Sequence, residues 1–187
     1  MKTLATLVFS VVLAFPAAAG VVHDEVANGD LSGDPNVPTA VPLALGSNQI
    51  INGSCGVGDT RDYLTFTIPA GQKLVHLYLN AYAPDNLGFA SFNTGSISYI
   101  PNATTNPNFL SGIHVQGTDA ATDILPRFVD RPVTQNALSA SELGPGDYCF
   151  LIQQTSPITT TYQLDFVLDD GTPTRAVTWG KIRALYR

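Results

Sequence analysis

The sequence contains few charged residues, and basic residues are the minority among them. Charged residues make up 13% of the 187, and nine Lys and Arg stand against fifteen Asp and Glu, which gives a formal net charge of −6. Proteins that bind nucleic acid contact its phosphates through clustered Lys and Arg. The composition therefore argues against a nucleic-acid partner and is compatible with binding of divalent cations.

The motifs of common catalytic centres are also missing. The three histidines, His23, His76 and His114, lie far apart, and the sequence has no His-Glu-x-x-His, Cys-x-x-Cys or Gly-x-Ser-x-Gly element. We therefore predict no catalytic residues and no enzyme activity. A hydrolase that uses a pair of carboxylates is the least favoured alternative, and it stays open because the separation of such a pair is a three-dimensional quantity that the sequence does not give.

Long apolar runs are absent beyond the N-terminus. Lys2 precedes an apolar run over residues 4–15, and Ala17-Ala18-Ala19 comes before Gly20. This pattern is typical of a signal peptide over residues 1–19. The run is shorter than the roughly 20 residues that span a bilayer. We expect a secreted protein (extracellular, periplasmic or at the cell surface) without a membrane span.

Cysteine is scarce, with only Cys55 and Cys149. A single pair in an exported protein often forms a disulfide, and two unrelated buried thiols are the alternative. Their spacing does not decide between these. We test the prediction that the two residues lie close enough to form a bridge.

Short alternating segments separated by turn residues dominate the rest of the chain. They predict an all-β protein: a single antiparallel β-sandwich of jelly-roll type over residues 20–171, with an acidic N-terminal lead-in. The main predicted strands cover residues 63–68, 73–82, 148–153 and 160–168. On the second of these, Val75, Leu77, Leu79 and Ala81 are predicted to face the core.

The segment over residues 172–187 is basic. Trp179, Ile182 and Tyr186 follow at i, i+3 and i+7, which suits a short amphipathic helix. Two interpretations remain: the tail docks on its own acidic domain, or it is a sorting or attachment element. We favour docking, because an exposed stripe of Trp, Ile and Tyr would be a sticky patch.

Two acidic clusters lie at the start of the mature sequence. Asp59 and Asp62 stand three residues apart at the beginning of a predicted strand, and Glu25, Asn28 and Asp30 lie about thirty residues upstream. Oxygen atoms in Gly-containing loops are typical ligands of Ca²⁺. The alternative is that the aspartates close a turn by accepting from backbone amides.

The segment Gly58-Asp59-Thr60-Arg61-Asp62-Tyr63-Leu64-Thr65-Phe66 resembles the Asp-x-x-Asp-Tyr-x-x-Phe element of the bacterial pre-peptidase C-terminal domain family. That family includes the collagen-binding domains of clostridial collagenases. The later turn from Leu143 to Tyr148 and the Tyr162-Gln163-Leu164 strand are similar to the family's later elements. The resemblance covers roughly residues 24–168, and we expect a stand-alone copy that follows its own signal peptide rather than a peptidase.

The resemblance implies a jelly-roll-like sandwich with calcium held between an acidic linker and the Asp-x-x-Asp loop. By position, Asp59 and Asp62 become the loop ligands, and Glu25, Asn28 and Asp30 the nearest linker equivalents. The linker of this chain differs from the family in spacing.

The sequence thus predicts a secreted, non-catalytic binding module with a structural calcium ion, attached to an extracellular polymer that is either a protein fibre or a polysaccharide. The alternative is a surface or matrix structural protein that assembles through strand faces and tail. A polymer binder requires exposed aromatic side chains, and Tyr78, Tyr82 and Tyr99 are the candidates.

Overall fold

The protein, described from a computed structural model, folds into two stacked β-sheets of five strands each. The structure describes residues 20–84, 86–98 and 106–172. The strand order is β1-β3-β10-β5-β8 in the first sheet (sheet A) and β2-β4-β9-β6-β7 in the second (sheet B). The predicted all-β sandwich is confirmed, and its jelly-roll connectivity stays a prediction. The predicted signal peptide, the basic tail beyond Thr172 and Tyr99 lie outside the described residues.

The ten strands are β1 Gly20–Asp24, β2 Thr39–Ala40, β3 Gly46–Cys55, β4 Arg61–Ile68, β5 Lys73–Ala83, β6 Gly88–Thr94, β7 Phe109–Val115, β8 Thr122–Asp123, β9 Gly146–Gln153 and β10 Thr160–Asp169. The helices are short: α1 Glu25–Asn28, α2 Arg127–Asp130, and a 3-10 turn at Gly117–Asp119. Within the described ranges, no helix has the length and apolar character needed to cross a bilayer.

Two edge pairs depart from the predicted antiparallel arrangement. β1 pairs with β3 in parallel, and β2 pairs with β4 in parallel. β1 lies within the acidic N-terminal lead-in, and β2 follows it shortly before β3. The segment before β3 is therefore part of the sandwich and adds one edge strand to each sheet.

The core lies between the sheets and is rich in phenylalanine. Phe150 on β9 packs against Phe92 on β6 and Phe166 on β10, with ring centroids 4.9 and 5.5 Å apart. Phe66 on β4 lies 5.3 Å from the Phe166 ring. The two contacts of Phe166 cross from sheet A to sheet B, so the aromatic cluster holds the two layers together.

The inward face of β5 differs from the simple alternation predicted for it. Leu74 and Tyr82 are buried in the core together with Leu77 and Leu79, whereas Val75 is only partly buried. The pairing of β5 with β10 shifts register at two places along the strand. A bulge reverses which residues point inward, and this explains the change at both ends of β5.

The prediction that Cys55 and Cys149 form a disulfide is wrong. Both are free and buried thiols. Cys55 belongs to the core cluster, whereas Cys149 lies between Tyr148 and Phe150, whose side chains face that core. Since successive residues of a strand point to opposite faces, Cys149 faces away from the core.

The packing of the core leads to a prediction about stability. Phe150→Ala should lower the free energy of unfolding by about 3–5 kcal/mol, because it removes a fully buried ring that touches both layers. Val57→Ala, at a residue that is 68% exposed, should change it by less than about 0.5 kcal/mol. Urea unfolding of the two variants beside the wild type measures both values. Similar losses in the two variants would contradict the assignment of the core.

Candidate metal centre and binding face

The two acidic clusters meet at one end of the sandwich. Glu25 lies in α1, directly after β1, and Asp62 is the second residue of β4. Oxygen atoms of Glu25, Asp30 and Asp62 lie within 4.8 Å of one another. Glu25, Asp30 and Asp59 also line a common pocket with Asn52 and Ser54. Four carboxylates from two distant parts of the sequence thus face one small space.

Local turns bring the upstream acids into place. The Asp24 side chain accepts a hydrogen bond from the Val26 amide at 3.0 Å and caps the single turn of α1. Gly29, with φ 89°, ends that turn in a conformation that disfavours other residues, and its amide donates to the Glu25 carbonyl. The chain therefore folds back at once, and Asp30 lies near Glu25.

The Asp62 carboxylate is the most deeply buried group of the site, with no exposed surface. Its Oδ2 accepts a hydrogen bond from the Tyr162 hydroxyl at 2.6 Å and another from the Cys55 thiol at 3.0 Å. Its Oδ1 is buried and has no hydrogen-bond partner among the described residues. A buried carboxylate oxygen without a partner costs several kcal/mol unless a proton or a cation meets it.

Glu25 is tied to both strands that flank it. One carboxylate oxygen accepts from the Ser54 amide on β3 at 3.0 Å, and the other lies 3.4 Å from the Tyr162 hydroxyl oxygen, whose single proton is donated to Asp62. Tyr162 on β10 therefore contacts Glu25 and Asp62 together. The tyrosine ring reaches this position because Gly53 lies beneath it: a Cβ there would come within 2.3 Å of the ring.

Burial and mutual repulsion favour protonation of these acids when no cation is present. Burial, assisted by Asp30, raises the pKa of Glu25 from 4.5 to about 7. Burial raises the pKa of Asp62 from 3.8 to about 8, although the Cys55 and Tyr162 donors act in the opposite direction. Burial and Asp30 raise the pKa of Asp59 to about 6. Anionic carboxylates packed this closely are typical of a site for a divalent cation.

The residues fit calcium by their chemistry. The set consists of hard carboxylate oxygens, one of them buried without a partner among the described residues, and the exposed Asp30 leaves room for additional water ligands. Asp59 also faces the backbone amide of Arg61, so the turn-capping alternative describes part of its role. Turn capping does not account for Asp62, whose hydrogen-bond donors are the side chains of Cys55 and Tyr162.

Asn28 and the tyrosines are placed differently from the prediction. The Asn28 side-chain oxygen accepts from the Asp24 amide at 2.9 Å, so this oxygen is engaged in the turn of α1. Tyr82 is buried in the core, so its proposed role on a ligand face is wrong. Tyr78 is partly exposed on the outer face of sheet A, beside His76. Tyr78 and Tyr82 therefore form no common aromatic row.

Cys55, Ser54 and Tyr162 complete the site, and sequence reasoning did not identify them as parts of it. Tyr162 lies 100 residues after Asp62. Its place in the Tyr162-Gln163-Leu164 element was the one available signal, and that element indicated a strand. Cys55 precedes Asp62 by seven residues, but their contact depends on the turn between them, which the linear sequence does not specify.

A row of four side chains crosses the outer face of sheet B. Arg61, Gln153, Phe89 and His114 are register partners on the adjacent strands β4, β9, β6 and β7. Register partners share a face of the sheet, and all four side chains are at least partly exposed. We call these residues the outer row.

Contacts within the outer row fix its geometry. Arg61 Nε donates to Gln153 Oε1 at 3.2 Å. The Phe89 and His114 rings meet edge to face with centroids 6.2 Å apart. Phe89 lies over Gly112, where a Cβ would come within 2.4 Å of the ring. The row thus combines an aromatic ring close to the sheet with cationic, amide and imidazole groups at its sides.

Matches to known proteins come from solved structures. No family model matches the sequence, and no curated protein matches it. Among solved structures, the chain is similar to the pre-peptidase C-terminal domain of a collagenase from Bacillus anthracis, with 14% sequence identity and a TM-score of 0.32. The match covers 70% of this chain and 94% of that one. The family in that name is the one that the Asp59–Phe66 segment resembles.

The raised pKa values predict how the metal-free protein responds to pH. The folded protein holds protons on Glu25, Asp59 and Asp62 that the unfolded chain releases at about pH 4. In EDTA, the contribution of these three acids to the free energy of unfolding should be fully present below that pH. It should be lost as the pH rises from about 4 to about 8. Thermal melts at pH 5 and pH 8 should differ by several degrees in EDTA.

Calcium serves as the control for this experiment. The ion binds the deprotonated carboxylates, so millimolar calcium should remove most of the loss seen at pH 8. A metal-free protein that is more stable at pH 8 than at pH 5 would contradict the arrangement of these acids.

Proposed function

We propose that this protein is a secreted, non-catalytic binding module that holds a structural calcium ion and attaches to an extracellular polymer. The observation that carries the calcium part is the buried Asp62 Oδ1, which has no partner in the described part of the chain while Glu25 and Asp30 offer oxygens nearby. A divalent cation at this place would neutralise the cluster and supply that partner. It would also join the lead-in, through Glu25, to β4.

The outer row supports the attachment part of the proposal. An aromatic ring flanked by Arg, Gln and His side chains suits polymers that offer both apolar faces and hydrogen-bonding groups, as sugars and extended peptides do. The row crosses four strands, so its spacing is set by the rigid sheet. Rigid placement lowers the entropic cost of binding an extended ligand.

The calcium site and the outer row meet at consecutive residues. Asp62 points into the site between the sheets, and Arg61 points outward to Gln153. An ion that holds Asp62 would therefore also fix the start of β4 and the position of the Arg61 guanidinium. Calcium would in this way contribute to attachment without touching the polymer.

The calcium part predicts a specific stabilisation. In millimolar calcium the melting temperature of the wild type should rise by about 3–10 °C over its value in EDTA, because an ion bound only by the folded state adds roughly 1–3 kcal/mol. Asp62→Asn keeps the shape of the side chain and removes its charge, and it should abolish the rise. Asp130→Asn, at an exposed acid on α2, should keep it. No rise in the wild type, or an equal rise in Asp62→Asn, would refute a calcium site at these residues.

The attachment part predicts retention on an insoluble polymer. In calcium, the protein should be retained on at least one of insoluble collagen, cellulose and chitin. Phe89→Ala should reduce that retention at least about fivefold, since a central aromatic anchor typically contributes more than 1 kcal/mol. Tyr78→Ala, on the outer face of sheet A, is the matched control and should bind as the wild type does.

The alternative function is a surface or matrix structural protein that assembles with copies of itself. Absence of retention on all three polymers, together with assembly in sedimentation experiments, would favour it. Retention that survives Phe89→Ala and is lost in Tyr78→Ala would move the binding face to sheet A.

A further inference from the structure

Asp62 presents its two carboxylate oxygens in different ways, and one of them depends on a cysteine. Oδ2 accepts two hydrogen bonds, from Tyr162 and from Cys55, whereas Oδ1 has none among the described residues. Because Oδ2 is already engaged, Oδ1 is the oxygen left to meet a cation. The Asp62 side chain is therefore arranged to bind an ion through a single oxygen.

The Cys55 thiol is held where it can act only as a donor to Asp62. It is the last residue of β3, is 2% exposed, and lies 3.0 Å from Asp62 Oδ2. The next acceptor, the Ile152 carbonyl, is farther away at 3.8 Å and uncharged. The single thiol proton is thus directed to the carboxylate, because that acceptor is both closer and charged.

The surroundings keep this proton on sulfur. Burial, followed by the charge of Asp62, raises the pKa of the Cys55 thiol far above its ordinary value. A thiolate beside four carboxylates would add to their repulsion, whereas the neutral thiol offsets part of it. Cys55 is also absent from the group of oxygens that lie within reach of one ion.

We propose that Cys55 is a positioning residue of the cation site: its thiol, together with the Tyr162 hydroxyl, holds Asp62 so that only Oδ1 coordinates the ion. This inference rests on the proposed calcium function and adds to it a residue whose side chain is not a ligand. Groups that hydrogen-bond to metal ligands in this way commonly change metal affinity when they are removed.

The test is a calorimetric calcium titration of the full chain, with three variants beside the wild type. Cys55→Ala removes the donor and should weaken calcium binding roughly tenfold. Cys55→Ser keeps a donor of nearly the same size and should stay within about threefold of the wild type. Cys149→Ala removes the other buried thiol, which faces away from the core, and should leave the affinity unchanged.

A second readout separates positioning from general loosening of the fold. Terbium, which substitutes for calcium, reports the number of bound waters through its luminescence lifetimes in H₂O and D₂O. In Cys55→Ala, Oδ2 keeps the Tyr162 donor but loses the thiol, which leaves one of its lone pairs open to chelate the ion, so the count should fall by about one water. Cys149→Ala should show the wild-type count.

The outcomes are distinct. Wild-type affinity and water count in Cys55→Ala would overturn the positioning role and leave the calcium proposal intact. Equal losses in Cys55→Ala and Cys55→Ser would also overturn it, since the hydrogen-bond donor would then not be the cause. A wild type that binds no calcium would refute the proposed function itself, and the positioning role with it.

Discussion

A buried carboxylate at the junction of both sheets sets the requirements for the rest of this end of the molecule. Asp62 extends from β4 in sheet B towards Cys55 on β3 and Tyr162 on β10 in sheet A. Two donors satisfy one of its oxygens, and the other needs a proton or a cation. With Glu25 and Asp30 close by, a proton relieves the repulsion at low pH, and a divalent cation would relieve it near neutrality.

The lead-in belongs to the fold because of the same group of contacts. Glu25 follows β1 directly, accepts a hydrogen bond from the Ser54 amide and lies against the Tyr162 hydroxyl. β1 is therefore held against β3 both by their parallel pairing and by the contacts of Glu25. The aromatic contacts of the core run from Phe92 through Phe150 to Phe166. Cys55 and Tyr162 belong to the same core cluster, so the acidic site is built directly onto the core.

The outer row depends on the sandwich as a whole. Arg61 lies beside Asp62 in sequence, but its partners Gln153, Phe89 and His114 come from three other strands. Gly112 lets the Phe89 ring lie close to the sheet. An ion at Asp62 would act on one end of the row through β4, while the sheet's own hydrogen bonds hold the remaining three residues in place.

The linear sequence was sufficient for those features that depend on local pattern. Alternating apolar residues predicted a strand over residues 63–68, in which Leu64, Phe66 and Ile68 are buried, and the spacing of Asp59 and Asp62 indicated the acidic loop. Tertiary structure decided what depends on register and on distant contacts. Bulges placed Leu74 and Tyr82 in the core, the two faces of β9 kept Cys149 from Cys55, and capping of α1 occupied Asn28. The donors to Asp62 and the four members of the outer row are joined across as many as 100 residues. Such contacts depend on which strands pair and in which register. Hydrophobic periodicity within a single strand carries no information about that register.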